Sequence, residues 1–120
     1  MNQTNTPKKD KWGWYYKATV DRVVDGDTVD LIVDYGFNLK QKQRIRLLNV
    51  DTPERGFPNF QLATMTLKRL LDQASCQNPD HCVRLRSYKT GKYGRWLGHI
   101  TSMDGTIDVN KELAEVWPDQ

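Results

Sequence analysis

From Lys40 to Leu47 the chain alternates strictly, with Lys40, Lys42, Arg44 and Arg46 interleaved with Gln41, Gln43, Ile45 and Leu47. The alternation stops abruptly at Asn49-Val50-Asp51-Thr52-Pro53-Glu54. A period of two belongs to a strand, whose successive side chains point to opposite faces. Ile45 and Leu47 are therefore expected to face a core, and the cations the other side. The cationic row ends beside two carboxylates, Asp51 and Glu54, on backbone stiffened by Pro53. Two readings are open at this point. The run is either a charged edge strand that resists pairing, followed by a proline turn, or a strand that delivers cations to a site.

The flanking segments give that strand neighbours. Tyr15 to Val24 reads as a strand with Tyr16, Ala18, Val20 and Val24 on one face, and Val29, Leu31 and Val33 mark a second. Between them Asp25-Gly26-Asp27-Thr28 is a turn signal, because Asp-Gly readily takes the positive φ of a tight hairpin. Three strands joined by short turns make an antiparallel meander, in which Asp27 and Asp51 each lie at or just past a strand end. Phe60, Ala63, Leu67, Leu70, Leu71 and Ala74 then form one apolar helical stripe, with Asn59 as its N-cap and an end near Ser75. Val83 and Leu85 alternate with Arg84 and Arg86 in a fourth strand. A fifth opens at Arg95 and ends around Met103. A short helix from Val109 to Trp117, with Val109, Leu113, Val116 and Trp117 on one side, is stopped by Pro118. The order predicts an α+β, mainly β fold: a five-stranded OB-type β-barrel with one helix after strand 3 and a short C-terminal helix. Trp12, Trp14, Tyr15 and Tyr16 either close one end of the core or offer rings for base stacking.

At 120 residues the chain is expected to be one domain, 12–120, behind a flexible polar arm, 1–11. A net charge of +3 does not by itself identify a polyanionic partner. No run approaches the roughly 18 apolar residues of a membrane helix. Met1 to Lys11 lacks an apolar segment, so no signal peptide is expected, which fits a cytoplasmic protein or an already processed secreted form. Cys76 and Cys82, with His81 beside them, do not match common zinc spacings and are expected to be free thiols or a local bridge.

Three blocks, Asp25-Gly26-Asp27-Thr28, Arg46 to Glu54, and Lys92-Tyr93-Gly94-Arg95, stand in this order on this strand scaffold. Together they closely resemble the staphylococcal nuclease (thermonuclease) family, over roughly residues 15 to 117. The resemblance implies that Asp27, Asp51 and the carbonyl of Thr52 hold one divalent ion. Ligation by oxygen alone suits calcium. It further implies Glu54 as general base on the attacking water and Arg46 and Arg95 as guanidinium clamps on the phosphate. Arginine suits that role because its planar fork can bond two phosphate oxygens and stays charged. Lys92 and Tyr93 match positions that contact a terminal phosphate, the alternative being an exposed turn lysine and a packing tyrosine. The implied activity is hydrolysis of DNA and RNA with little sequence preference, leaving 3′-phosphate ends. The alternative is a catalytically weak or inactive OB-fold module that binds nucleic acid, although such a module has no need of Glu54.

The departures carry expectations of their own. Gly91 stands where the family often has aspartate, and the connection from Glu54 to the helix is shorter than in the secreted prototype. The chain ends at Gln120, before the third helix and stacking tyrosines that the resemblance would place there. It reads as a short, C-terminally truncated member, a monomer or a homodimer, with Trp117 or the Trp12 to Tyr16 cluster covering the surface left open. The cations Lys40, Lys42, Arg44, Arg84 and Arg86 are expected to make substrate affinity fall as salt rises.

Overall fold

A computed structural model of the protein describes residues 8–10, 13–90 and 96–118, without the side chains of 8–10, 13, 89 and 90. The elements are β1 (Lys8–Asp10), β2 (Gly13–Asp25), β3 (Thr28–Asp34), β4 (Lys40–Leu47), α1 (Phe60–Ser75), β5 (Cys82–Thr90), β6 (Trp96–Ser102) and α2 (Val109–Val116). Strands β2, β3 and β4 form the expected meander, β4 pairs with β6 in parallel, β6 pairs with β5, and β5 returns to pair with β2. Five strands thus close into an OB-type barrel, and β1 lies outside it against the start of β2. The sequence reading did not include β1.

Alternation fills the barrel. Val29, Leu31 and Val33 from β3, Ile45 and Leu47 from β4, Val83 and Leu85 from β5, and Ile100 from β6 are all buried. Ala63, Leu67, Leu70, Leu71 and Ala74 close it from α1. Phe60 is only half-buried, and the Arg55 guanidinium sits 5.1 Å from its ring centre. Tyr16, Tyr35 and Trp96 meet at 5.7 to 6.4 Å between ring centres and pack against the core, so Tyr16 has the packing role. Tyr15 points outward beneath Arg84 and Arg86. Trp12 lies outside the described residues.

The structure refines several local expectations and corrects others. A register shift between Val20 and Arg22 inserts an extra residue into β2, so Val23 rather than Val24 packs on the core. Such a bulge flips the facing of the residues that follow it, here up to a second register shift between Val23 and Asp25. Asn59 occupies the N-cap position of α1 in the left-handed conformation, φ 68°, with no capping bond from its side chain. Asparagine tolerates that region, and here it turns the chain into the helix. In α2 the N-cap Asp108 does cap through its side chain, accepting a hydrogen bond from Lys111 N–H. Val116 is 63% exposed, while Trp117 packs partly on the core, because α2 ends one residue before it. Cys76 is exposed, Cys82 is buried, and both thiols are free. No helix of the described residues is long and apolar enough to cross a membrane.

Candidate active site

The β2–β3 hairpin, the end of β4 and the loop after it converge at one rim of the barrel. Thr28 is the register partner of Arg46, and Leu47 N–H donates to the Asp27 carbonyl at 2.8 Å, so the hairpin tip is bonded to the last residue of β4. Gly26 sits in the tip without a positive φ. What it supplies is room: a Cβ there would lie 2.6 Å from Ala63 Cβ and 2.8 Å from Thr52 Oγ1. The missing side chain lets the hairpin, the Thr52 loop and the first turns of α1 touch.

Arg46 is the hub of the rim. Its Nη1 donates to the carbonyls of Leu47, at 2.9 Å, and Val50, which fixes the guanidinium in the turn after β4. Its Nη2 then lies 3.5 Å from Asp27 Oδ2 and 3.9 Å from Asp51 Oδ1. Carboxylates 24 positions apart in the chain therefore face one guanidinium, as their places at strand ends require. Asp27 also accepts from Thr28 Oγ1 at 3.0 Å and from Thr52 N–H at 3.3 Å. The Thr52 side chain is buried, and its Oγ1 has no hydrogen-bond partner among the described residues. Asp51 is exposed, and its N–H donates to the Trp117 carbonyl at 3.0 Å, which ties the acidic loop to the end of α2.

Glu54 is exposed and shares a cleft of about 390 Å³ with Asp51, Thr52, Pro53, Phe57 and Trp117. The structure thus brings together Asp27, Arg46, Asp51 and Thr52 and sets Glu54 in the adjoining cleft. Lys92, Tyr93 and Arg95 lie outside the described residues. Trp96, the residue after Arg95, pairs with Ile45 beside Arg46. Sequence reasoning missed Asn110, which is buried in α2. It accepts from Ile100 N–H and donates to the carbonyls of Leu48 and Gly98, each at 2.9 Å. A polar residue one place after the apolar start of a helix was the only available signal.

The cationic row does not stand alone on the outer face. Arg44 holds Asp30 through two bonds, at 2.9 and 3.2 Å, and Lys42 reaches Asp21 at 3.6 Å. The hydrogen bonds from Arg44 hold the Asp30 carboxyl below the usual carboxylate range, against the opposing effect of its burial.

No protein-family model matches the chain. Similar proteins do. Protein ParB of Escherichia coli is 33% identical over 102 residues, 85% of this chain and 47% of that protein. An uncharacterized endonuclease of Escherichia coli O157:H7 is 30% identical over 92 residues, 77% of this chain and 52% of that protein. Micrococcal nuclease of Shigella flexneri is 31% identical over 85 residues, 71% of this chain and 42% of that protein. The chain spans about half the length of the curated relatives it matches. Identity over most of this chain to proteins named endonuclease and micrococcal nuclease, on a closed barrel with two helices, supports a staphylococcal nuclease-like family.

Proposed function

We propose that the protein is a calcium-dependent nuclease that hydrolyses phosphodiester bonds of DNA and RNA with little sequence preference. The observation that carries this reading is the Arg46 guanidinium held between Asp27 and Asp51, with Glu54 in the adjoining cleft. Two carboxylates from separate strand ends, beside a buried hydroxyl that has no hydrogen-bond partner among the described residues, form an oxygen donor set that fits a hard cation. Among the described residues no three His, Cys, Asp or Glu side chains cluster, and the third protein ligand, the Thr52 carbonyl, is assigned on the family resemblance. Asp27, Asp51 and the Thr52 carbonyl would hold calcium, which when bound supplies positive charge to a phosphate oxygen.

The remaining chemistry falls to side chains. Glu54 takes a proton from a water whose oxygen forms a bond to phosphorus. The bond from phosphorus to the 5′ oxygen breaks, that oxygen takes up a proton, and the 3′-phosphate remains on the other fragment. Arg46 stabilises the added negative charge of the five-coordinate phosphorus, fixed in place by the carbonyls of Leu47 and Val50. Arg95 is assigned the second guanidinium contact and Lys92 and Tyr93 a terminal phosphate, on the family resemblance.

The test is digestion of denatured DNA in calcium, in EDTA, and by Glu54→Gln in calcium. The expected result is cleavage that EDTA abolishes and that the variant loses by about 10²-fold or more, with oligonucleotide binding retained. Binding without cleavage by the unaltered protein would instead make it a nucleic-acid-binding module.

A further inference from the structure

The two arginines of β5 are held differently from Arg44 of β4. Arg84 and Arg86 alternate with the buried Val83, Leu85 and Ser87, so both stand on the outer face of the barrel. Arg84 lies over the Tyr15 ring at 5.5 Å, and Arg86 lies over Tyr15 at 4.9 Å and over Tyr88 at 5.4 Å. Arg44, by contrast, spends its fork on the Asp30 carboxylate. An aromatic ring holds a guanidinium by its π face and takes none of its N–H donors, so a stacked arginine keeps its fork for an anion. Among the described residues Arg84 makes no hydrogen bond or ion pair; the Tyr15 ring is what it rests on.

The acids around this face are engaged by other groups. Lys17, opposite Arg84 in register, pairs with Asp80 at 3.4 Å, and His99, opposite Arg86, meets Asp108 at 2.7 Å. Asp104, in the turn beside Arg84, accepts from Ser102 Oγ and from Thr106. The patch is also near the site. Leu47 pairs with Gly98 and Gly98 with Ser87, so β5 lies two strand spacings, about 10 Å, from the strand that carries Arg46. Resting on the nuclease reading above, we infer that Arg84 and Arg86, set on Tyr15 and Tyr88, form a second phosphate subsite that takes the sugar–phosphate backbone of the substrate beyond the scissile phosphate. Phosphate contacts position a strand without reading its bases, so this subsite adds affinity and no sequence preference. The substrate class it favours is a polynucleotide long enough to reach from Arg46 to β5.

The experiment measures binding of two labelled oligomers of equal length by fluorescence anisotropy in EDTA, over a range of salt. One is single-stranded DNA; the other has the same sugar–phosphate backbone without bases. Arg84→Gln is expected to weaken both about tenfold and to reduce the slope of log K against log salt by about 0.7. Arg84→Lys keeps the charge and is expected to keep the slope. Arg69→Gln, on the exposed side of α1, removes the same charge elsewhere and is expected to change neither affinity nor slope. No weakening by Arg84→Gln, an equal effect of Arg69→Gln, or weakening confined to the base-bearing oligomer overturns the subsite. Absence of cleavage in calcium would strike the nuclease reading alone, since this comparison needs no turnover.

Discussion

At the scale of single residues, the rim depends on two requirements that conservative substitution would expose. Arg46 acts through a fork, with one terminal nitrogen on main-chain carbonyls while the other faces Asp27 and Asp51. Lysine keeps the charge and loses the fork. Arg46→Lys should therefore lower kcat by about 10²-fold in the digestion assay, with some fall in Tm, because the side chain is only 23% exposed and its fork on two carbonyls is lost. A variant cleaving at the unaltered rate would remove Arg46 from the mechanism. Gly26 shows the opposite kind of requirement. The sequence marked it as a turn residue for its backbone freedom, yet its φ is ordinary and its value is space. Gly26→Ala should cost about 1–3 kcal/mol in a denaturant melt, because Ala63 and Thr52 must move to admit a methyl group. Thr52 N–H is bonded to Asp27, so cleavage should fall with it. That Asp27, Arg46 and Asp51 meet at one rim was legible here because these residues and their order are written in the chain. The close approach was not, since Ala63 and Thr52 reach Gly26 only in the folded molecule.

At the scale of elements, the barrel strands and both helices were legible from period alone, and the errors fall where one residue changes a period or a long-range bond replaces a local one. The bulge in β2 moved the inward position from Val24 to Val23. Nothing in Val20-Asp21-Arg22-Val23-Val24 announces an extra residue, because a bulge is set by pairing with β3. Asn110 is the clearer case. Helix α2 is short, eight residues, and its apolar face is small, so it needs another attachment. Asn110 supplies it by bonding Ile100 of β6, Gly98 of β6 and Leu48 just past β4. Asn110→Ala would leave one N–H and two carbonyls without that partner. The expected loss is about 3 kcal/mol or more, read as a Tm drop of about 10 °C or more. The end of α2 also holds Asp51 through the Trp117 carbonyl, so activity should fall at temperatures where the variant is still folded. A stable variant with full activity would show that α2 is held by its apolar contacts alone.

At the scale of the whole molecule, the outer face of the meander is a ladder of opposed charges and not the bare cationic row that the sequence suggested. Asp34 faces Lys40 in register, Asp30 faces Arg44, and Lys42 reaches Asp21, while Arg84 and Arg86 lie over the Tyr15 ring at 5.5 and 4.9 Å. A net charge of +3 is thus spread over a surface where many cations already have partners. Affinity for nucleic acid should consequently fall only gently with salt. Releasing one cation should steepen it: Asp30→Asn frees Arg44, and the slope of log K against log salt for single-stranded DNA should grow by about 0.7, the share of one phosphate. The same substitution has a signature in pH. The Asp30 carboxyl is held low by Arg44, so its ionised form stabilises the fold above the unfolded carboxylate pKa, and that contribution disappears as pH falls through the lower folded value. Asparagine lacks the contribution at every pH. Tm of Asp30→Asn should therefore lie below that of the unaltered protein at pH 7, and the two should converge in acid below about pH 4. Parallel Tm profiles across that range would mean that the Asp30–Arg44 pair adds nothing to the fold, and the ladder would then serve only to hold Arg44 away from phosphate.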